Sequence, residues 1–292
     1  MRFDYFEPFT IEEARETLRR GKGQYKVLAG GTDVILQLRR RVKQYKGLVN
    51  IKRLPDIGVW SAAPGKGLRM GAATLMRELE TSSAVAATFP SLLDALRVIG
   101  SVQLRNIATI GGNLCNASPA ADTAPALLVL GATATFLDNG SNPRTVPVEN
   151  FFSGPGKSVL GPAGLLLRVE VPEPKEMTGD SFERLTPRSA MDIAIASAAS
   201  RVTLDRSSGR IEDVAIALGA VAPTPLRALK AEEVLRGCEP VPELVMKAGQ
   251  IAMGECRPID DIRGTAAYRK AMVSVLVRRT LERAVERARM QA

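Results

Sequence analysis

Lys26-Val27-Leu28-Ala29-Gly30-Gly31-Thr32-Asp33 runs from strand-forming residues through two consecutive glycines straight toward a helix, with no room for an ordinary loop. Tyr25, Val27 and Leu28 favour a strand. Val34, Ile35 and Leu38 recur at helical spacing, and Arg39, Arg40 and Arg41 follow where a helix end takes basic side chains. Paired glycines let the backbone turn with positive φ and leave their N–H groups unobstructed. A helix start behind them adds unpartnered donors and about half a positive charge. That combination suits a phosphate or pyrophosphate. Taken alone, the stretch is equally compatible with a tight strand-to-helix turn that binds nothing.

Outward from it, Thr10 and Glu13 stand three apart as a capping box, and Ile11, Ala14 and Leu18 give the helix that follows its apolar face. A second strand is predicted at 48–51, closed by Leu54-Pro55. Residues 1 to about 57 therefore read as a small α/β lobe centred on the glycine turn. Beyond it come a strand at 68–72, a helix from Leu75, and a helix after Phe89-Pro90 carrying Leu92, Leu93, Leu96 and Ile99. Then a second glycine pair appears in Arg105-Asn106-Ile107-Ala108-Thr109-Ile110-Gly111-Gly112-Asn113-Leu114-Cys115-Asn116-Ala117-Ser118-Pro119-Ala120-Ala121-Asp122. Like the first, it is expected to follow a short strand. Small side chains at this density let a flat ligand approach the backbone, with amides and hydroxyls at hand. The alternative is an ordinary loop in which Ser118 caps a helix opening at Pro119. Two such turns in one chain favour one extended ligand held from both sides.

Strands follow at 132–137 and 144–148, joined by the hairpin signal Asn139-Gly140. Phe152-Ser153-Gly154-Pro155-Gly156-Lys157-Ser158 is not a P-loop, because Phe151 occupies the position where that motif needs its first glycine. A strand at 165–171 ends at Pro172-Glu173-Pro174-Lys175, the best linker. Longer strands are expected beyond it, at 181–185, 193–204 and 211–218, the last two joined by Asp205-Arg206-Ser207-Ser208-Gly209. Two helices, at 228–235 and 265–289, close the chain. On the second, Arg279, Arg283 and Arg287 form an exposed basic stripe, either solvated or facing an acidic partner.

Composition narrows the chemistry. Of 292 residues, 45% are apolar, 24% charged and only 4% aromatic, as in ordinary globular proteins with ample core. There is no histidine, which removes histidine triads, histidine metal sites and histidyl-linked flavin. Cys115, Cys238 and Cys256 are scattered, so this chain cannot by itself supply a four-cysteine zinc or iron–sulfur site. A net charge of +9 accompanies no nucleic-acid-binding module. No apolar run is long enough to span a bilayer, and the N-terminus has no apolar signal segment, so a cytoplasmic location is expected.

Together the two glycine stretches resemble those of the flavoprotein subunit of the molybdenum hydroxylases, the xanthine dehydrogenase and aerobic carbon monoxide dehydrogenase family. Phe3-Asp4-Tyr5, residues 28–33, residues 105–122, residues 166–172, residues 184–188 with Asp192-Ile193-Ala194, and Tyr268-Arg269 all match. The resemblance implies an α+β chain: a two-lobed PCMH-type FAD-binding domain over 1–175, with lobes at about 1–57 and 58–175, then a smaller α+β C-terminal domain over 176–292. It implies that Val27, Leu28, Ala29, Gly30, Gly31, Thr32, Asp33 and Val34 wrap the FAD pyrophosphate. Thr109, Ile110, Gly111, Gly112 and Asn113 would meet the cofactor from the other side, and Asp122, Leu166 and Arg184 match further contact positions. Asp33 brings a negative charge to a phosphate cradle, so its carboxylate is expected to turn back onto backbone N–H groups. The implied role is electron transfer from [2Fe-2S] clusters of a small subunit, through FAD, to NAD⁺, oxygen or another acceptor. A molybdopterin large subunit would oxidise the substrate, in a complex expected to be a dimer of heterotrimers. A non-catalytic nucleotide- or anion-binding assembly subunit, and a free-standing FAD oxidase, are the competing classes.

Overall fold

Thr10 has extended backbone and its hydroxyl accepts the Glu13 N–H at 3.1 Å, so α1 (Ile11–Arg20) starts where the capping box places it. The return bond from the Glu13 carboxylate reaches Phe9 N–H at 2.9 Å rather than that of Thr10. In this computed structural model, which describes residues 2–138, 142–188 and 191–291, α1 packs on a parallel sheet of β1 (Asp4–Phe6), β2 (Tyr25–Leu28) and β3 (Gly47–Asn50). The strand order is β1-β3-β2. A helix of six residues, α2 (Val34–Arg39), lies between β2 and β3 and buries Val34 and Leu38 against Leu48.

The second lobe is a five-stranded antiparallel sheet of β4 (Trp60–Ala63), β5 (Gly67–Gly71), β6 (Thr133–Leu137), β7 (Arg144–Pro147) and, after the small hairpin of β8 (Phe152–Gly154) and β9 (Lys157–Ser158), β10 (Leu165–Val171). Its order is β4-β5-β10-β6-β7. Between β5 and β6 the chain winds through short helices: α3 (Met76–Glu80), α4 (Ser83–Thr88), α5 (Pro90–Val98), α6 (Val102–Arg105), α7 (Ile110–Asn116) and α8 (Thr123–Val129). Arg105 is structural. Its buried guanidinium takes the Glu80 carboxylate with two bonds, at 2.7 and 2.9 Å, and the Ile99 carbonyl at 2.7 Å.

The chain ends in an antiparallel sheet of β11 (Thr178–Leu185), β12 (Ala196–Leu204), β13 (Ile211–Gly219) and β14 (Leu226–Arg227), in sequence order, with α9 (Leu229–Glu233), α10 (Pro242–Glu255) and α11 (Ala266–Arg289). Both faces of this sheet are covered. Phe182, Ala199, Ala215 and Ala217 join the core beneath α5 and α8, whereas Ala198, Val202, Val214 and Ile216 face α10 and α11. Small residues make the close approach possible: a Cβ on Gly179 would lie 2.1 Å from the Ala284 carbonyl of α11.

Several expectations need correction. Three helices follow the last sheet among the described residues, because 242–255 is α10. Its buried residues Val245, Ala248, Gly249 and Ala252 keep helical spacing, and Gly249 lets its backbone approach Ser274 of α11. The second glycine pair does not follow a strand: Thr109 makes one isolated bridge to Leu75 and then caps α7, which contains both glycines. The helix expected at Pro119 starts only at Thr123. The Arg279, Arg283 and Arg287 stripe is exposed at Arg279 and partly exposed at the other two, but it is not merely solvated: its partners lie on β11 and α5. Arg279 and Arg283 pair with Glu183 at 2.8 and 3.1 Å, and Arg287 pairs with Asp94 at 2.9 Å. The 133–137 and 144–147 strands do pair, while their Asn139-Gly140 turn lies outside the described residues. The segment with a P-loop-like spelling is the β8–β9 hairpin.

Candidate functional site

The first glycine stretch leaves its strand at Leu28 and enters α2 at Val34, as its spelling predicts. Gly31 has φ +75°, the left-handed region that favours glycine. The N–H groups of Gly30, Gly31, Thr32, Asp33 and Val34 donate no hydrogen bond among the described residues; the first N–H of this segment to do so is that of Ile35, to the Gly31 carbonyl at 3.0 Å. These are the donors an anion cradle requires. With α2 only six residues long, the cradle rests on the loop amides more than on a summed helix dipole. Asp33 does not turn back. Its backbone is helical, φ −94° and ψ −48°, rather than the extended form from which a capping side chain folds onto the next turn, and its carboxylate accepts no capping bond. It remains surface-exposed, yet lost hydration raises its pKa above the ordinary carboxylate value.

The two glycine stretches touch. A Cβ on Gly30 would lie 2.0 Å from the Ile107 carbonyl oxygen and 3.0 Å from Ala108 Cα, so only glycine fits there. Sequence reasoning placed Ile107 in the second motif but missed this contact, which only the fold reveals. The second stretch uses its amides internally. Ile110 and Gly111 donate to Thr74 and Ala72 at 3.1 and 3.0 Å, and the Thr109 hydroxyl accepts Gly112 N–H at 3.1 Å. Gly111 is a packing glycine, since its Cβ would lie 2.4 Å from the Ala72 carbonyl. Asn113 accepts the Thr123 hydroxyl at 2.6 Å through Oδ1, which leaves its NH₂ as the group to present. Ile110 and Leu166 are buried core residues, so any contact they make is through backbone. Leu166 flanks a bulge in β10, where Leu167 accepts the Ala72 N–H at 2.9 Å, and Ala72 in turn accepts the Gly111 N–H, so β10 is linked to the second stretch through Ala72.

Asp122 and Arg184 come together across the chain. Arg184 Nη1 meets Asp122 Oδ2 at 2.6 Å, and Nη2 donates to the Val98 carbonyl at 2.5 Å. Burial pushes the Asp122 carboxyl up to about 6 against the opposing pull of Arg184. Its other oxygen, Oδ1, is buried without a partner among the described residues, an orphan acceptor of the kind a bound hydroxyl or N–H would satisfy. Arg269 plays a structural part: buried, it holds the Ile195 and Ala220 carbonyls at 2.7 and 3.1 Å and Asp261 at 2.6 Å. Lost hydration pushes the Cys115 thiol in α7 up to about 12, with only partial opposition from Lys26, which keeps it in the protonated form. The hollow of about 600 Å³ between Arg2, Phe3, Asp4 and Lys46 contains none of the cradle residues.

Residues 1–174 match the family model for the FAD-binding domain in molybdopterin dehydrogenase, and residues 182–284 match the carbon monoxide dehydrogenase flavoprotein C-terminal domain. The chain belongs to the FAD-binding flavoprotein subunits of the molybdenum hydroxylases. It is 33% identical to the carbon monoxide dehydrogenase medium chain of Hydrogenophaga pseudoflava over 97% of both chains. It is 30% identical to the xanthine dehydrogenase FAD-binding subunit of Escherichia coli O157:H7, over 91% of this chain and 90% of that one. The solved Hydrogenophaga pseudoflava carbon monoxide dehydrogenase superposes with a TM-score of 0.93 at 32% identity, covering 98% of each chain. Quinoline 2-oxidoreductase from Pseudomonas putida 86 gives 0.90 at 26% identity, covering 99% of this chain and 98% of that one. The flavoprotein subunit's two-lobed α+β architecture followed by a smaller α+β unit is thus that of its relatives. The residues present fit the FAD of the family: free loop amides, a left-handed glycine and one orphan buried carboxylate oxygen.

Proposed function

We propose that this flavoprotein subunit holds FAD between the two glycine stretches and passes electrons within a molybdenum hydroxylase complex. The unpartnered N–H groups of residues 30–34, pressed by Gly30 against Ile107, carry the proposal. In it, residues 27–34 take the pyrophosphate, residues 109–113 approach from the opposite lobe, and Asp122 Oδ1, with Arg184 fixing Oδ2, accepts a cofactor donor. Leu166 contributes backbone. When bound, FAD supplies the redox chemistry, taking electrons from [2Fe-2S] clusters of a small subunit and yielding them to NAD⁺, oxygen or another acceptor. The chain's own residues bind, orient and shield. Substrate oxidation belongs to a molybdopterin-bearing large subunit. A dimer of heterotrimers, a cytoplasmic location, and a division into domains at 175/176 complete the proposal. Among the described residues no helix is long and apolar enough to cross a membrane.

Isolation of the native complex tests it. Mass spectrometry of its chains should return a small iron–sulfur and a large molybdopterin subunit, and anaerobic reduction through the partners should bleach the flavin, with recovery on adding the acceptor. A flavin that no partner can reduce would refute the electron route.

A further inference from the structure

β11 presents Asp180, Phe182 and Arg184 on one face, toward the FAD-binding half of the chain. The intervening residues face α11: Gly179 lies against Ala284, while Ser181 and Glu183 bond Arg283. Asp180, only 1% exposed, accepts the Ser91 N–H at 2.5 Å, the second residue of α5. Phe89, at the helix's own capping position, supplies no side-chain bond, so the cap comes from a strand 89 residues further on. At the other end of α5, its last residue, Val98, gives its carbonyl to Arg184. Strand and helix spans agree: four strand residues cover about 13 Å, and the seven helical steps from Ser91 to Val98 cover about 11 Å. Midway, Asp94 accepts the Phe182 N–H at 3.4 Å and Arg287 at 2.9 Å, and Arg287 also donates to the Asp180 carbonyl at 2.6 Å.

We infer that Asp180 is a positioning residue for the cofactor site: with Arg184 it clamps α5 at both ends and so fixes where the Arg184–Asp122 pair stands. This rests on the proposed placement of FAD beside that pair. The guanidinium is a rigid fork with two partners, Val98 and Asp122. Releasing the head of α5 lets Val98 shift, and the fork then turns the Asp122 carboxylate whose Oδ1 faces the cofactor in that reading.

The test compares full-length Asp180→Ala and Asp180→Asn with Val214→Ala, which removes a buried side chain from the opposite face of the same sheet. FAD affinity by fluorescence titration, visible circular dichroism of the flavin, and Tm are read for each. Asp180→Ala should raise the FAD Kd at least about tenfold and alter the dichroism, and Asp180→Asn, which keeps an acceptor oxygen, should restore both to within about twofold. Val214→Ala should lower Tm and leave both untouched. Should Asp180→Ala fail to fold, Asp180→Ser, too short to reach the helix, takes its place. An unchanged Kd and dichroism in Asp180→Ala, or an equal change in Val214→Ala, would overturn the positioning role alone. Wild-type chain that takes up no FAD, alone or within its complex, would overturn both it and the proposed function.

Discussion

At Gly31, φ of +75° decides what the position tolerates; a Cβ there would also press on the Leu28 and Ile35 side chains at 3.1 and 3.3 Å. Gly31→Val should cost about 1–3 kcal/mol in backbone strain and obstruct the phosphates. The flavin-to-protein ratio after purification measures this, and a normal ratio in the variant would remove the cradle from residues 29–33. Asp180 gives a second prediction at this scale. Burial pushes its carboxyl up to about 6, with Ser91 and Arg287 opposing and Asp94 assisting. Its unfolded value is about 3.9, so the stability linked to it is fully present below that value and lost as pH rises through about 6. Asp180→Asn removes the dependence. Relative to wild type, the variant should gain stability between about pH 4 and pH 6 and level off above; Asp122, shifted the same way, is present in both proteins and cancels. Urea unfolding at stepped pH checks it, and a constant difference across that window would contradict it. The two glycine pairs were legible in the spelling, whereas Asp122 and Arg184 were named only through the family resemblance and their pairing came from the fold. The direction of Asp33 was not legible, because it depends on a helical φ and ψ that no side-chain chemistry announces.

Elements were legible where periodicity is unopposed. The 165–171 strand, the capping box before α1 and the long α11 stand where the sequence puts them. α10 escaped notice because its two glycines weaken the helical spelling, although Val245, Ala248, Gly249 and Ala252 keep the spacing. Gly249 there serves contact rather than flexibility. Gly249→Val would set its Cβ 2.7 Å from the Ser274 carbonyl and should destabilise the chain by about 1–3 kcal/mol, measured by denaturant unfolding. A neutral or stabilising result would show that α10 and α11 part without cost. The arginine stripe carries a different lesson. Helical spacing correctly grouped Arg279, Arg283 and Arg287, but their partners, Glu183 and Asp94, lie on β11 and α5, far off in sequence. Arg279 is half exposed, so Arg279→Ala should change stability by less than about 1 kcal/mol.

For the whole molecule, the sheet of β11 to β14 is more than an appendage, since one of its faces completes the core beneath α5 and α8. That shared core could not be read from the chain, because Ala199, Ala215 and Ala217 look like ordinary strand alanines until a helix lies on them. What was legible was the pair of glycine stretches, whose meeting at Gly30 and Ile107 supports the proposed two-sided site. The most direct test of that site is the FAD content and visible spectrum of this chain within its gently purified native complex. One FAD per chain, with a flavin spectrum, is the expected result; a colourless chain lacking flavin would contradict it.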